Sequence, residues 1–288
     1  MLHITNIRQF SDSAWKQVIL LCGASSIVIL LLIIIFTLRE GLPAFSDIGF
    51  FKFISGTTWR VSQDEYGILS FIVGSIYVTA LALVMSVPLG VFCAIFLAEV
   101  APNWMRRIVR PAVELLVGIP SVVYGLVGML LLVPRISDLG GSGDSILAAA
   151  IVLTVMVLPT IISVSEDSIR SVPRVYKEGS LALGATQWQT IWHVMLPAAR
   201  SGILAAIVLG MGRAIGETMA MIMVIGNSIK MPVSPLDPAR TMTGSLALEI
   251  NYATGLHWNA LFACGVVLLI FILALNSIAM VLRGRTQR

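Results

Sequence analysis

Six stretches of this 288-residue chain are apolar over about 20 residues or more, at about 18–38, 68–98, 111–134, 145–165, 201–226 and 258–282. About 20 apolar residues in a helix cover the hydrocarbon core of a bilayer. Lipid offers no partner to exposed backbone N–H and C=O groups, which leaves helices or closed barrels. The runs are continuous, without the apolar–polar alternation of a barrel strand. The fold class that follows is all-α: a polytopic membrane helical bundle with six transmembrane helices. Only 12% of residues are charged, against about 25% in soluble domains, and mean hydropathy is +0.94. The bulk of the chain is therefore not a water-soluble fold.

Orientation is read from the 19 Lys and Arg residues. Twelve fall on one side: Arg8 and Lys16, Arg106, Arg107 and Arg110, Arg170, Arg174, Lys177 and Arg200, and Arg283, Arg285 and Arg288. Six fall on the other: Arg39, Lys52, Arg60, Arg135, Lys230 and Arg240. Both termini are thus predicted to be cytoplasmic. The polar first 16 residues carry no A-x-A cleavage site, so the first span reads as retained.

The second span, at about 46 Å of helix, must tilt, extend beyond the bilayer or break, and Pro88-Leu89-Gly90 offers a breaking point. Pro120 and Pro159 are expected to interrupt the third and fourth spans. Residues 1–65 read as an N-terminal tail, first span and outer loop, and 66–288 as a core with a cytoplasmic loop at 172–199. The outer segments 40–66 and 227–257 are polar, and the three prolines of "MPVSPLDPAR" (231–240) suit an extended loop. Trp15, Trp59, Trp104 and Trp258 lie near span boundaries, as interfacial anchors do. Glu166 and Asp167 are placed at the water interface, and Arg110 and Glu114, four apart, as a structural pair. Cys22, Cys93 and Cys264 read as small buried hydrophobes. Neither they nor His3, His193 and His257 show metal-ligand spacing. No G-x-x-x-x-G-K-[ST] occurs, and none of Lys16, Lys52, Lys177 and Lys230 follows a glycine. The chain has no P-loop of its own, so ATP, if it drives this protein, is hydrolysed elsewhere.

Within the fifth apolar run, "GRAIGETMAMIM" (212–223) holds Arg213 and Glu217. A charge at the centre of a span costs at least about 2.5–3.5 kcal/mol. At i and i+4 the two share one face, with Gly212 and Gly216 beside them to admit another helix. One reading is a self-neutralising structural pair. The other is a substrate-contact site, in which the arginine fork holds an oxyanion and the glutamate accepts a proton-bearing oxygen. Phosphate near neutral pH keeps an O–H; sulfate does not.

The segment 172–199, "VPRVYKEGSLALGATQWQTIWHVMLPAA", is substantially apolar for a loop. Pro173 suits a helix start, Gly184 separates two short helices, and Pro197 is expected to end the second. They could lie on the membrane surface or enter a groove on a soluble partner.

"EGSLALGATQWQTIWHVMLP" (178–197) resembles the EAA loop of ABC importer permeases. Glu178, Gly179 and Ser180 stand for the Glu-Ala-Ala element, Gly184 follows at the required spacing, and Val194, Leu196 and Pro197 close the pattern. The resemblance implies a type I importer permease whose loop docks on an ATPase subunit. "RPAVELLVGIPSVVYGLVGMLLLVP" (110–134) and "GRAIGETMAMIMVIGN" (212–227) are similar to the phosphate-specific transport permeases, over about residues 66–280. "MAMIMVIGN" and the loop after it are closer to the PstC-type than to the PstA-type subunit.

That likeness implies a pore shared with a PstA-type sister permease. Two PstB-type ATPase subunits using ATP and Mg would sit below, and a PstS-type phosphate-binding protein outside, all at a bacterial or archaeal cytoplasmic membrane. Arg213 and Glu217 match the family's phosphate-pathway pair. The chain itself binds no cofactor and performs no covalent chemistry. Other readings are a permease for another oxyanion such as sulfate or molybdate, a stand-alone carrier in which Glu217 titrates, and, more distantly, a membrane-embedded enzyme.

Overall fold

A computed structural model describes residues 2–138 and 140–286, with side chains at 15–138, 140–278 and 280. Arg8, Arg283, Arg285 and Arg288, used for orientation, lie outside the residues whose side chains are described. In chain order the elements are α1 (Leu2–Ala44), α2 (Phe50–Ser55), β1 (Trp59–Arg60), β2 (Glu65–Tyr66), α3 (Leu69–Ile95), α4 (Asn103–Gly118), α5 (Ser121–Val127), α6 (Val133–Ser137), α7 (Ile146–Arg170), α8 (Arg174–Ala182), α9 (Gln187–Thr190), α10 (Leu196–Gly216), α11 (Met219–Val224), α12 (Met242–Glu249) and α13 (Leu256–Thr286). Short π-helical segments join α1 to α2, α5 to α6 and α9 to α10, and a fourth, Phe96–Val100, follows α3. Among the described residues five helices are long and apolar enough to cross a membrane, and a sixth crossing requires a bent pair to count as one.

α7 is the central post, with 15 of its 25 residues buried. α3 lies along it in the same direction and buries Gly74, Val78, Ala82, Ser86, Gly90 and Ala94, one every four residues. Small residues in such a row let backbones approach closely: a Cβ on Gly90 would stand 2.7 Å from Ile161 Cγ2. Thr154, on α7, donates to Ala82 O at 3.2 Å across this seam. α10 packs on the same post through Gly210, opposite Val157 and Ile161.

The prolines sort differently from expectation. Pro88 and Pro159 lie inside α3 and α7, both continuous, because the α3–α7 seam holds the helices through them. The second span therefore does not break. Pro120 does break its span: α4 and the helical run Ser121–Ser137 meet at 96°, and Ile119 is extended, as a residue before proline prefers. Pro197 ends nothing. It sits in the first turn of α10, just after the π-helical turn Ile191–Met195, and Gln187–Gly216 runs through it as one 30-residue helical unit; helices accommodate such sites by local π adjustment.

The segment 40–66, expected as a loop, is mostly helical: α1 continues through Pro43 to Ala44, a π turn leads into α2, and the β1–β2 hairpin follows. It packs with α12 and α13 in a second core containing Phe53, Phe71, Met242 and Leu261. At the centre of this cap the Glu249 carboxylate, on α12, is buried. It accepts from Trp59 Nε1 (2.9 Å), contacts His257 Nε2 (2.8 Å) and pairs with Arg240. Trp59 is thus a buried donor rather than an interfacial anchor, and Trp258 donates to Glu40 (3.0 Å). Burial, helped by Asp64, pushes the Tyr66 hydroxyl up to about 12. In the 231–240 loop, N–H groups of Ser234 and Val233 hold the Asp237 carboxyl below its usual range. Cys264 is buried as expected, whereas Cys93 is half-buried and Cys22 exposed.

Candidate functional site

The fifth apolar run does not form one helix. α10 ends at Gly216, Glu217 is extended (φ −69°, ψ 131°), and α11 begins at Met219. Arg213 and Glu217 therefore do not share a helical face, and no ion pair joins them among the described residues. Arg213 sits in the last turn of α10, where the helix dipole favours a cation. Its Nη1 reaches Thr160 Oγ1, on α7, at 3.5 Å, and Tyr124 of α5 lies within its electrostatic range. Glu217 has different partners. Its Oε1 accepts from Ala220 N (3.3 Å) at the start of α11, and its backbone carbonyl accepts from Thr243 Oγ1 (3.0 Å), on α12.

The break follows from packing. α11 lies against α5, where Gly125 brings that helix to the backbone of Ala220; a Cβ there would be 2.9 Å from Ala220 Cα. The two broken spans thus pack on each other. A Cβ on Gly212 or Gly216 would meet nothing within 4 Å, so the close helix approach expected there is not made within this chain. Beside the break, a shallow cavity of about 330 Å³ is lined by Thr218, Thr243, Leu246, Ala247 and Ile250. The result is a half-buried guanidinium with one long hydroxyl contact, and a carboxylate with one oxygen on a backbone N–H. Both groups keep hydrogen-bonding capacity for a ligand. Thr160 and Thr243 carry no sequence signal for this site: Thr160 is a lone threonine in an apolar span, and Thr243 is one of several hydroxyl residues in a polar segment.

The predicted docking residues form one unit. Glu178, Gly179 and Ser180 lie on α8, which starts after Pro173. Gly184 takes φ +87°, a left-handed value suited to glycine, and turns the chain into α9. Thr186 and Gln189 form a capping box there. Ser180 and Thr190 join the two helices through their hydroxyls (3.0 Å). Val194 lies in the π segment that carries the chain into Leu196 and Pro197 of α10. Lys177 pairs with Glu99, and Gln187 donates to Glu99 O (3.2 Å), so the unit is tied to the end of the α3 limb. Its outer surface is apolar: Leu183 is 91% exposed, with Val175 and Trp188 also exposed. A rigid helix–turn–helix with an uncovered apolar tip is suited to insertion in a groove.

Residues 86–288 match the family model described as binding-protein-dependent transport system inner membrane component. The chain is 43% identical over 271 residues to a probable ABC transporter permease protein YqgH of Bacillus subtilis, covering 91% of this chain and 88% of that one. It is 38% identical to the phosphate transport system permease protein PstC of Xylella fastidiosa (82% and 80% covered). Identity to PstC of Pasteurella multocida is 35% (85% and 83% covered). Among solved structures, a bacterial alginate ABC transporter chain superposes with TM-score 0.63 at 18% identity, over 91% of this chain and 92% of that one. A chain of the MetNI methionine ABC transporter gives 0.60 at 18% identity, over 80% and 100%. These two likenesses concern the fold.

Proposed function

We propose, from the premise that this chain belongs to the binding-protein-dependent transport system inner membrane components, that it is the PstC-type permease of an ATP-driven phosphate importer. It is a multi-pass inner-membrane protein and a transport subunit, not itself an enzyme. The observation that carries the anion reading is Arg213, a guanidinium in a span with no carboxylate on it. A planar fork suits phosphate oxygens, and the PstC relatives point to phosphate as the anion. The bundle would be completed by a PstA-type sister permease against the open face at Gly212 and Gly216. A PstS-type binding protein would deliver phosphate, and PstB-type ATPase subunits, using ATP and Mg, would engage the α8–α9 knob. The end bearing Arg106, Arg170 and Lys177 then faces the cytoplasm.

In this reading Arg213 attracts the anion, while Glu217 accepts the phosphate O–H and repels an oxyanion that lacks one. Glu217→Gln keeps an acceptor for Ala220 N but removes the charge. Discrimination between phosphate and sulfate should fall by roughly tenfold or more, since a site built to bond an O–H disfavours an analogue without it. Phosphate uptake competed with sulfate and molybdate is the measurement. The anion preferred by wild type tests the phosphate assignment, and unchanged discrimination in the variant removes Glu217 from the site.

Gly184 tests the docking role separately. A side chain there meets no atom within 4 Å, so Gly184→Val is strained only through its backbone, by about 1–2 kcal/mol. The variant should insert normally but retain roughly 5- to 30-fold less ATPase subunit on purification, by the same energy read as affinity. Gly179→Ala, in a helix and also without a neighbour, should behave as wild type.

A further inference from the structure

We infer that a second phosphate-group site lies on α4, apart from the Arg213 region and adjoining the α8–α9 knob, and that an anionic phospholipid headgroup occupies it. A cleft of about 590 Å³ is walled by Arg106, Arg107 and Arg110 of α4 and Arg170 of α7, with Asn103 and Glu114 at its edge. Four arginines and one glutamate line it. Two further carboxylates lie just outside and occupy two of the arginines. Arg110 bonds Glu114 (3.3 Å) and Asp167 (3.1 Å). Arg170 is in charge contact with Glu166 (2.8 Å), though not aligned for a hydrogen bond to that oxygen. Glu166 is buried, contrary to its expected place at the water interface, so its charge is spent on Arg170.

Arg106 and Arg107 remain. Arg106 is fixed from behind: Nε donates to Leu97 O (2.6 Å) and Nη2 to Ala98 O (2.8 Å), leaving Nη1 unused. Arg107 is exposed and has no hydrogen-bond or ion-pair partner among the described residues. A pre-oriented guanidinium next to an uncommitted one is a receptor for phosphate oxygens. The adjoining cavity, which shares Arg106 and Arg170, reaches Lys177 and Glu178 and belongs to the docking unit.

The rest of α4 identifies the source of the phosphate. Its inner face packs through Val113, Met105 and Val109 against Cys93 and Leu97, at and just past the end of α3, and Leu158 and Ile162 of α7. Another face leaves Trp104, Ile108 and Leu115 exposed at 63, 63 and 74%, spaced four and seven residues apart and so on one stripe. Because α4 turns 96° from the helical run after it, it is not the straight continuation of that span. An apolar stripe with a tryptophan beside a row of arginines is the pattern of a helix at the level of lipid headgroups. Basic pockets at that level take anionic headgroups. An acyl chain can cover the stripe while its phosphate meets Arg106 and Arg107; free phosphate would leave the stripe bare.

The test uses the assembled transporter, with sister permease and ATPase, in nanodiscs of phosphatidylglycerol and phosphatidylcholine. Lipid retained after mild delipidation is counted by native mass spectrometry. Wild type should hold phosphatidylglycerol in preference to phosphatidylcholine, and Arg107→Gln should lower that retention at least about tenfold, as loss of a charge-assisted bond would. Arg107 makes no hydrogen bond or ion pair among the described residues, so its variant should fold; Arg106→Gln, which has structural bonds, is the second variant. Millimolar inorganic phosphate is the other arm. If it displaces the lipid, or binds wild type more than Arg107→Gln with no lipid difference, the phosphate site stands, and in the latter case its source is free phosphate. Equal lipid retention and equal phosphate binding in wild type and both variants would overturn the site.

Discussion

Arg213→Gln is expected to insert, assemble with its partners and lose phosphate uptake by roughly 30- to 4,000-fold. That range corresponds to the 2–5 kcal/mol that truncating one partner of a buried charge pair costs. The position supports the upper part of the range. Among the described residues the one hydrogen bond of Arg213 is a 3.5 Å hydroxyl contact, so a passing anion would supply most of its compensation, and glutamine offers neither charge nor fork. Arg213→Lys separates the two contributions: it keeps the charge and loses bidentate geometry, so it should fall between wild type and glutamine. Thr160→Val removes the hydroxyl on Nη1 without touching the charge and should cost less than either. Radiolabelled phosphate uptake in cells lacking their own importers is the measurement, with equal assembly confirmed first. Wild-type uptake from Arg213→Gln would make the arginine structural and move the anion pathway elsewhere.

The sequence singled out this charged pair but not its geometry. Arg213 and Glu217 stood out because charge in an apolar run is costly, and that cost is visible in one dimension. Their separation was not. "GRAIGETMAMIM" contains no proline, and glycine in a membrane helix does not by itself stop it. The break at Glu217 arises from contacts far away in the chain: Thr243 on the Glu217 carbonyl and Gly125 of α5 against Ala220. The opposite error occurred at Pro88 and Pro159, where a local breaker was overridden by the packing of α3 on α7. Pro120 broke its helix because Ile119 before it is extended and α5 has its own partner in α11.

The α8–α9 unit was the most legible part. Its signals are local: a proline before a helix, a glycine between two short helices and an apolar surface on a loop. The cap was the least legible. Read as two polar loops, it holds a buried carboxylate, Glu249, whose donor Trp59 lies 190 residues away in the chain. Nothing in either segment alone marks that glutamate as different from a solvated one.

Removing that carboxylate should therefore have the largest effect on stability. Glu249→Ala is expected to destabilise the folded chain by about 3–5 kcal/mol, because it strands a buried charge instead of merely deleting a pair. Arg240, with a side chain 14% exposed, would keep Phe71 beneath it (5.7 Å) and the Asn227 carbonyl (3.1 Å) but no counter-charge. Trp59 Nε1 and His257 Nε2 would each lose their acceptor. At about 2–4 °C per kcal/mol for a chain of this size, the Tm of the purified transporter should drop by about 6–20 °C. Glu249→Gln retains an acceptor and the shape and should lose less. The discriminating variant is Glu249→Ala with Arg240→Met. If the cost is the stranded cation, replacing it with an apolar side chain should recover part of the loss, as a coupled pair requires. A double variant no better than Glu249→Ala would assign the cost to Trp59 and His257 instead. A single variant melting with wild type would mean the cap is held by its aromatic packing alone, in which Tyr66 stacks on His257 at 5.9 Å and Trp59 lies against Phe71 at 5.3 Å.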